Sequence, residues 1–475
     1  MTGPGRAGGR RARLERLGPR TDRGRLLLVL LLVAAVTAFT ATVPLLRGFF
    51  DLRVYYGTVH TWAHHGGRIY DYRVPGTVYG FTYPPFAAVA MLPLALLGRG
   101  AAIAVSLLVN LAALAAVLRI LAGPGRRRRG WYRWALCLCL LALFEPLRDT
   151  FSFGQVNLVL LALVLADCLL LTSGRGRWAG AGTGLAAAVK LTPVLFIGLL
   201  LLAGRRRAAA VATAVAAAAT ALAAWADPAA SRFYWTEALW DTGRVGRLDY
   251  VSNQSLQGVL ARLGETGRPL WASAVLLTLC VWAWRARRAV SAGDWPAAFA
   301  LTGTAACLVS PITWVHHLVW LLPSFAVLVR AGHPRIAGAL YAVLCTSVVW
   351  LWAGDAAGLD GLLGANAYVW VSLGLLLGLP AGQPRAVRPP LARNASATAP
   401  APSPESPATT AAGDQPESSS EAGAPAAATG AADGSVREGG RSPSSEPTGS
   451  TCPAAVKPQS SSARASSYTV RPPSA

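Results

Sequence analysis

The sequence predicts an all-α protein that crosses a membrane many times, and three observations carry that prediction. The 475-residue chain is 53% hydrophobic and only 14% charged. Uncharged apolar stretches of about 15 to 22 residues recur along it, and about 20 such residues take a helix across a hydrocarbon core. Sixteen tryptophans punctuate these stretches, a residue type enriched where membrane meets water. Helices are the spanning form to expect, because hydrocarbon offers no partner to an unpaired backbone N–H or C=O.

The elements follow in order. Residues 1–25 form a basic, glycine-rich arm with eight arginines, which the positive-inside rule puts in the cytoplasm. Residues 26–380 form the membrane body. Its first span, residues 26–46, is too long for a removed signal peptide and lacks a small-residue cleavage site. The chain then emerges outside at Asp51. Residues 81–97 are read as a short helix lying on or partly in the outer surface, starting from Tyr83-Pro84-Pro85-Phe86. That reading keeps Arg126 to Arg129, after the apolar run 101–122, on the cytoplasmic side. The hairpin from Phe144 to Asn157 then faces out and Arg175 returns inside. Lys190-Leu191-Thr192-Pro193 breaks the next apolar run and reverses it, which leaves Arg205 to Arg207 inside. Residues 226–268 form an outer loop, Arg285 to Arg288 lie inside, and His316 and His317 approach the outer face. Arg330 and Arg335 lie inside and residues 355–364 outside. The count is about twelve spans, with no internal repeat.

From residue 381 to 475 the composition turns to Pro, Ser, Ala, Thr and Gly. Such a segment buries too little apolar surface to offset its ordering entropy, so a disordered, cytoplasmic tail dispensable for chemistry is expected. Asn394-Ala395-Ser396 within it matches a glycosylation acceptor, a triplet common by chance. The net charge of +22 does not indicate nucleic acid. The arginines cluster in short loops between apolar runs, where they set topology and meet anionic headgroups of membrane lipid. Six of the seven cysteines lie in apolar runs and behave as small hydrophobes, Cys452 is alone in the tail, and no metal-ligand spacing occurs.

On this topology the polar residues at membrane depth gather on one face: Asp51, Tyr55, Tyr56, Arg68, Asp71, Glu145, Arg148, Asp149, Gln155, Asn157, Lys190, Asn253, Gln254, His316 and His317. Ionisable groups near a bilayer are costly and usually face a cavity. A cavity with a carboxylate, cations and amides suits a phosphate-bearing polar substrate on a lipid carrier, with Asp51 as the candidate base. Each residue also has a plainer reading. Asp51 marks a helix end, and Lys190 snorkels to an interface. Gln155 and Asn157 bond neighbouring helices. Arg148 pairs locally with Glu145 and Asp149. Asn253-Gln254-Ser255 caps a helix, Asp71 shapes the outer loop, and one imidazole of the His316-His317 pair packs.

Seven segments in order then carry a resemblance: Asp51 with Tyr55, Gly67 to Asp71 (GRIYD), Phe81 to Phe86 (FTYPPF), Gly154 to Asn157 (GQVN), Gly184 to Pro193 (GLAAAVKLTP), Asn253 to Ser255 (NQS) and Ser310 to His317 (SPITWVHH). Over roughly residues 26–380 the chain resembles glycosyltransferase family 87, the polyprenol-phosphate-mannose-dependent α-mannosyltransferases. The resemblance implies a GT-C-like membrane bundle with an outer-face cavity in the cell membrane, a lipid-phosphate sugar donor and a glycolipid or glycan acceptor. In that fold the first outer loop carries the catalytic acid, which corresponds to Asp51, and the family histidine corresponds to His316 or His317. The mechanism so implied is inverting and forms an α-(1→2)-type linkage. Asp51 would take the acceptor proton, and Lys190, Arg148 or a protonated His316 or His317 would stabilise the departing phosphate. Gln155, Asn157, Tyr55, Asn253 and Gln254 would line the substrate site. No cofactor or metal is expected. The alternative is a transporter or flippase, which also has broken helices and intramembrane charges but gathers its polar groups at the midplane, usually within a repeat.

Overall fold

The computed structural model describes residues 21–42, 47–123, 130–174, 176–264 and 267–382, all of them within one unit. The basic arm up to residue 20, Arg126 to Arg129, Arg175 and the tail from residue 383 lie outside the described residues. Among those described the structure is helical, with two isolated antiparallel bridges, Arg73–Gly80 and Asn253–Trp314.

Helix α1 (Asp22–Thr42) begins four residues before the apolar run, because Asp22 belongs to its first turn. Its apolar window is nowhere buried by protein, as a helix facing lipid requires. The chain reverses at Gly48 and Phe49, both left-handed with φ 57° and 53°, and enters α2 (Phe50–His64). Next comes α3 (Pro85–Met91), with Pro at its first turn, which runs on as a 3-10 helix, Leu92–Leu96. Together these span 12 residues, about 18 Å at 1.5 Å per residue, which is short of a hydrocarbon core. The short helix expected after Tyr83 is therefore present, and it packs on α2.

Helix α4 (Arg99–Ala122) is a full-length apolar helix, followed by α5 (Trp131–Leu143). Helices α6 (Glu145–Phe153) and α7 (Asn157–Thr172) meet at 116°. The break is local chemistry. Gly154 has φ 72°, and a Cβ there would sit 2.6 Å from the Cβ of Leu52 on α2, so only glycine allows both the turn and the approach. Helix α8 (Ala181–Val189) stops at Lys190, whose backbone is extended (φ −150°, ψ 135°), and α9 (Val194–Leu202) resumes after Pro193. Helix α10 (Arg206–Ala226) lies against α8, close enough that a Cβ on Gly184 would meet the Ala212 carbonyl oxygen at 2.3 Å. Small residues let membrane helices approach in this way.

Helices α11 (Pro228–Phe233) and α12 (Leu256–Arg262) flank an irregular segment. The last part contains α13 (Arg268–Ser291), α14 (Trp295–Val309), a 3-10 helix (Val315–Leu321) leading into α15 (Leu322–Arg330), α16 (Pro334–Val343), α17 (Gly358–Gly364) and α18 (Ala367–Gly378). Helix α14 is buried on nearly every side and packs against α13, α15 and α18, which makes it the central post of the core.

Among the described residues five helices are long and apolar enough to cross a membrane, α1, α4, α10, α13 and the stretch Pro334–Trp352, or seven if the bent pairs α6–α7 and α17–α18 each count as one. A multi-pass membrane protein is thus what the structure describes.

Candidate active site

The α6–α7 break, the α8–α9 break and the N-terminus of α2 converge on one cavity of about 250 Å³. Asp51 enters it from the first turn of α2. Gln155 comes from the α6–α7 corner and donates Nε2 to Asp51 Oδ2 at 2.5 Å. The Gln155 carbonyl is also used: its Oε1 accepts from Tyr83 Oη at 2.9 Å and from Asn157 Nδ2 at 3.2 Å. The amide is thereby fixed with its nitrogen toward the carboxylate. Lys190 reaches in from the α8–α9 break. Its Nζ donates to Asn157 Oδ1 at 3.1 Å and to Tyr83 Oη at 3.2 Å, and it lies 2.8 Å from His317 Nε2. An ammonium only donates, so Nε2 of His317 accepts and its proton is carried on Nδ1. Tyr55 donates to Tyr83 at 3.0 Å and completes the network. Burial pushes the Asp51 carboxyl up to about 6, against the Gln155 hydrogen bond and the Lys190 charge, which both pull it down.

The residues assigned a site role from sequence divide into two groups. Asp51, Tyr55, Gln155, Lys190 and His317 line this cavity, and Asn157 is one bond behind it. The other four do not line it. His316 packs edge-on against Phe153 at 5.2 Å and against the His317 ring at 4.7 Å, and its carbonyl accepts from Thr150 at 3.2 Å, so of the two touching imidazoles only His317 lines the cavity. Arg148 faces away, over the Phe39 ring at 5.0 Å and donating to Ser347 Oγ at 3.2 Å, so it lies on the wrong side of α6 to meet a phosphate here. Its flanking acids bond elsewhere too: Asp149 meets Arg47 at 3.7 Å and Glu145 accepts from Trp350 and Tyr368.

Asn253 and Gln254 are fully buried. Asn253 bonds the Pro311 carbonyl at 3.2 Å and the Thr313 N–H at 2.9 Å, while Gln254 Nε2 bonds the carbonyls of Val251 and Ala365, both at 2.7 Å. They clamp the segment that delivers Trp314 and His317, and Ser255 is the cap, accepting from Gly258 N–H at 3.0 Å. Asp71 shapes its loop by accepting from the Arg68 N–H at 2.9 Å.

Sequence reasoning missed two contributors. Tyr83 is the hub of the network, yet in FTYPPF it reads as one more interfacial aromatic. Arg244 lines the cavity from the irregular segment after α11, where nothing local distinguishes it from a loop charge. Among the described residues no group of three or more His, Cys, Asp or Glu is placed to hold a metal ion.

The profile of glycosyltransferase family 87 matches residues 81–311, a span that holds Tyr83, Gln155, Asn157 and Lys190, with Asp51 before it and His317 after it. A polyprenol-phosphate-mannose-dependent α-(1-2)-phosphatidylinositol mannoside mannosyltransferase of Mycobacterium tuberculosis is 33% identical over 323 residues, 63% of this chain and 74% of that protein. A polyprenol-phosphate-mannose-dependent α-(1-2)-phosphatidylinositol pentamannoside mannosyltransferase of Mycolicibacterium smegmatis is 36% identical over 343 residues, 69% of this chain and 79% of that protein. No solved structure matches. With similarity sustained over that length, the chain belongs to glycosyltransferase family 87 and is a membrane glycosyltransferase.

Proposed function

We propose that this enzyme moves mannose from a polyprenyl-phosphate donor to a hydroxyl of a phosphatidylinositol-mannoside-type glycolipid, forming an α-(1→2) linkage with inversion. The observation that carries the reading is the arrangement of the cavity: a base-competent carboxylate, Asp51, at one end of a hydrogen-bonded relay and a cation with an imidazole, Lys190 and His317, at the other. Inverting transfer needs one base for the incoming hydroxyl and positive charge for the outgoing phosphate. The names of the relatives support the donor and the class of acceptor.

In this mechanism the lipid of the donor lies between helices with its sugar in the cavity. Asp51 takes the acceptor proton as the hydroxyl attacks the anomeric carbon from the face opposite the phosphate. The C–O bond to phosphate breaks, and Lys190 meets the charge that grows there, with Asn157 and Tyr83 holding the ammonium in place. His317 steadies the ammonium from the other side. No metal and no further cofactor takes part. The reaction runs on the extracytoplasmic face of the cell membrane, in a bundle of about twelve spans with both termini in the cytoplasm. A transporter is the weaker reading, because the polar groups form a closed catalytic relay and the chain's family transfers sugars.

The test is transfer from polyprenyl-phosphate [¹⁴C]mannose by purified protein. Asp51→Asn is expected to lower kcat by about 10²- to 10⁴-fold, the usual contribution of a positioned base, with the folded yield unchanged. Full activity in that variant rules out the assignment.

A further inference from the structure

Helix α2 has a second hollow on its opposite face. Residues 51 and 53 lie about 200° apart around a helix, so Asp51 faces one cavity while Arg53 faces another, of 390 Å³. That hollow is lined by two guanidiniums, Arg53 and Arg99, and two imidazoles, His60 and His65, with the Tyr72 ring between, and no carboxylate lines it. Arg99 stands in the first turn of α4, where the helix dipole disfavours a cation unless an anion shares the site. A largely apolar groove of 440 Å³, which Arg148 also lines, adjoins it, and Phe49 forms a wall of both. Arg99 and Ile103 belong to the hollow, and Leu107, Leu111 and Leu114 to the groove. These positions are three or four apart, so they form one stripe down α4. Cationic chamber and apolar channel in line have the shape and charge of an anionic amphiphile.

We infer that this hollow binds the phosphodiester of the acceptor glycolipid, with an acyl chain in the α4 groove. The inference rests on the mannosyltransferase reading above. Geometry excludes the donor as occupant. Its phosphate is joined through one oxygen to the anomeric carbon, and that carbon must come within about 3 to 3.5 Å of the hydroxyl at Asp51. A phosphate across the width of α2, about 10 Å, is too far. A glycolipid acceptor carries sugars between its phosphate and its reactive hydroxyl, which lets its anchor sit behind α2 while its terminal sugar reaches Asp51.

The experiment measures binding, so it stands whether or not transfer occurs. A phosphatidylinositol mannoside, an alkyl oligomannoside without phosphate, and phosphatidylglycerol are titrated separately into the purified full-length protein and read by native mass spectrometry. Wild-type protein is expected to bind the phosphorylated glycolipid more tightly than the alkyl oligomannoside. Arg53→Gln and Arg99→Gln are each expected to weaken the phosphorylated ligand by about tenfold, which narrows that difference. Arg99 is exposed, so its variant tests the site without disturbing the core. Unchanged affinity for the phosphorylated glycolipid in both variants overturns the inference. Phosphatidylglycerol that binds as tightly as the glycolipid, and is not displaced by it, assigns the hollow to ambient membrane lipid and also overturns it. Absence of sugar transfer by wild-type protein in the assay above would instead count against the mannosyltransferase reading.

Discussion

Asp51 is one hydrogen bond from an amide that is itself held by a phenol and a second amide, and this sets how it responds to pH. Burial brings its carboxyl up to about 6, and the working form of a base is the ionised one. Acceptor kcat/KM should therefore fall as pH drops below about 6 and level off above it, a limb about two units higher than an exposed aspartate would give. Gln155 opposes the rise, so Gln155→Leu should move the same limb to higher pH; a pH–rate profile of both proteins reads the shift. The two histidines give a sharper contrast. His317→Ala should lower kcat by about 10²-fold, since it removes a partner of the cation that meets the departing phosphate, whereas His316→Ala should act mainly on thermal stability. Paired kcat and melting measurements separate them. From the sequence, Asp51, Gln155 and Lys190 were legible because a carboxylate, an amide and an ammonium beside long apolar runs need a reason to be there. Tyr83 was not, since a tyrosine near a membrane needs none. The histidines could not be told apart because which of the two touching rings reaches the cavity depends on a 3-10 turn with no local signature.

Breaks, more than helices, position the chemistry at the scale of the element. Gln155 reaches the cavity, with Asn157 behind it, because α6 and α7 meet at 116° across Gly154, and Lys190 reaches it because α8 ends at Val189 and leaves Lys190 extended. Gly154→Ala tests this. The substitution meets both a left-handed backbone and Leu52, and is expected to cost about 1 to 3 kcal/mol of stability. It should also lower kcat by tenfold or more, because α2 carries Asp51 and must move with Leu52. Thermal melting beside kcat reports the two effects. The sequence signals for these breaks were strong: Gly before Gln-Val-Asn, and Lys-Leu-Thr-Pro inside an apolar run. Arg148 was expected to meet the departing phosphate or else to pair with Glu145 and Asp149, whereas its place on α6 turns it toward Phe39 of α1 and Ser347.

For the whole molecule the pattern of charge yields a topology that can be tested. The proposed topology puts Arg68 on the outside and Arg287 on the inside. Single cysteines at these two exposed positions, in a background without the seven native ones, should react oppositely with a membrane-impermeant thiol reagent on intact cells. Labelling of Arg287→Cys and not Arg68→Cys would invert the scheme. The overall class, helical and multi-pass, was legible because hydropathy over twenty residues leaves few alternatives. The span count was not legible in the same way, since several apolar helices here, such as α5 and α14, are shorter than a bilayer is thick, and α14 owes its place to protein neighbours.

Helix α1 is the opposite case. None of its apolar window is fully buried, its half-buried residues such as Leu32, Val36 and Phe39 meet protein on one side only, and its chief neighbour is α5. Yet Thr40 near its end is a wall of the groove beside Phe49. The thickness of the surrounding hydrocarbon thereby becomes a variable of the enzyme: a thinner or thicker leaflet tilts this one staff, and its tip opens or narrows the channel it borders.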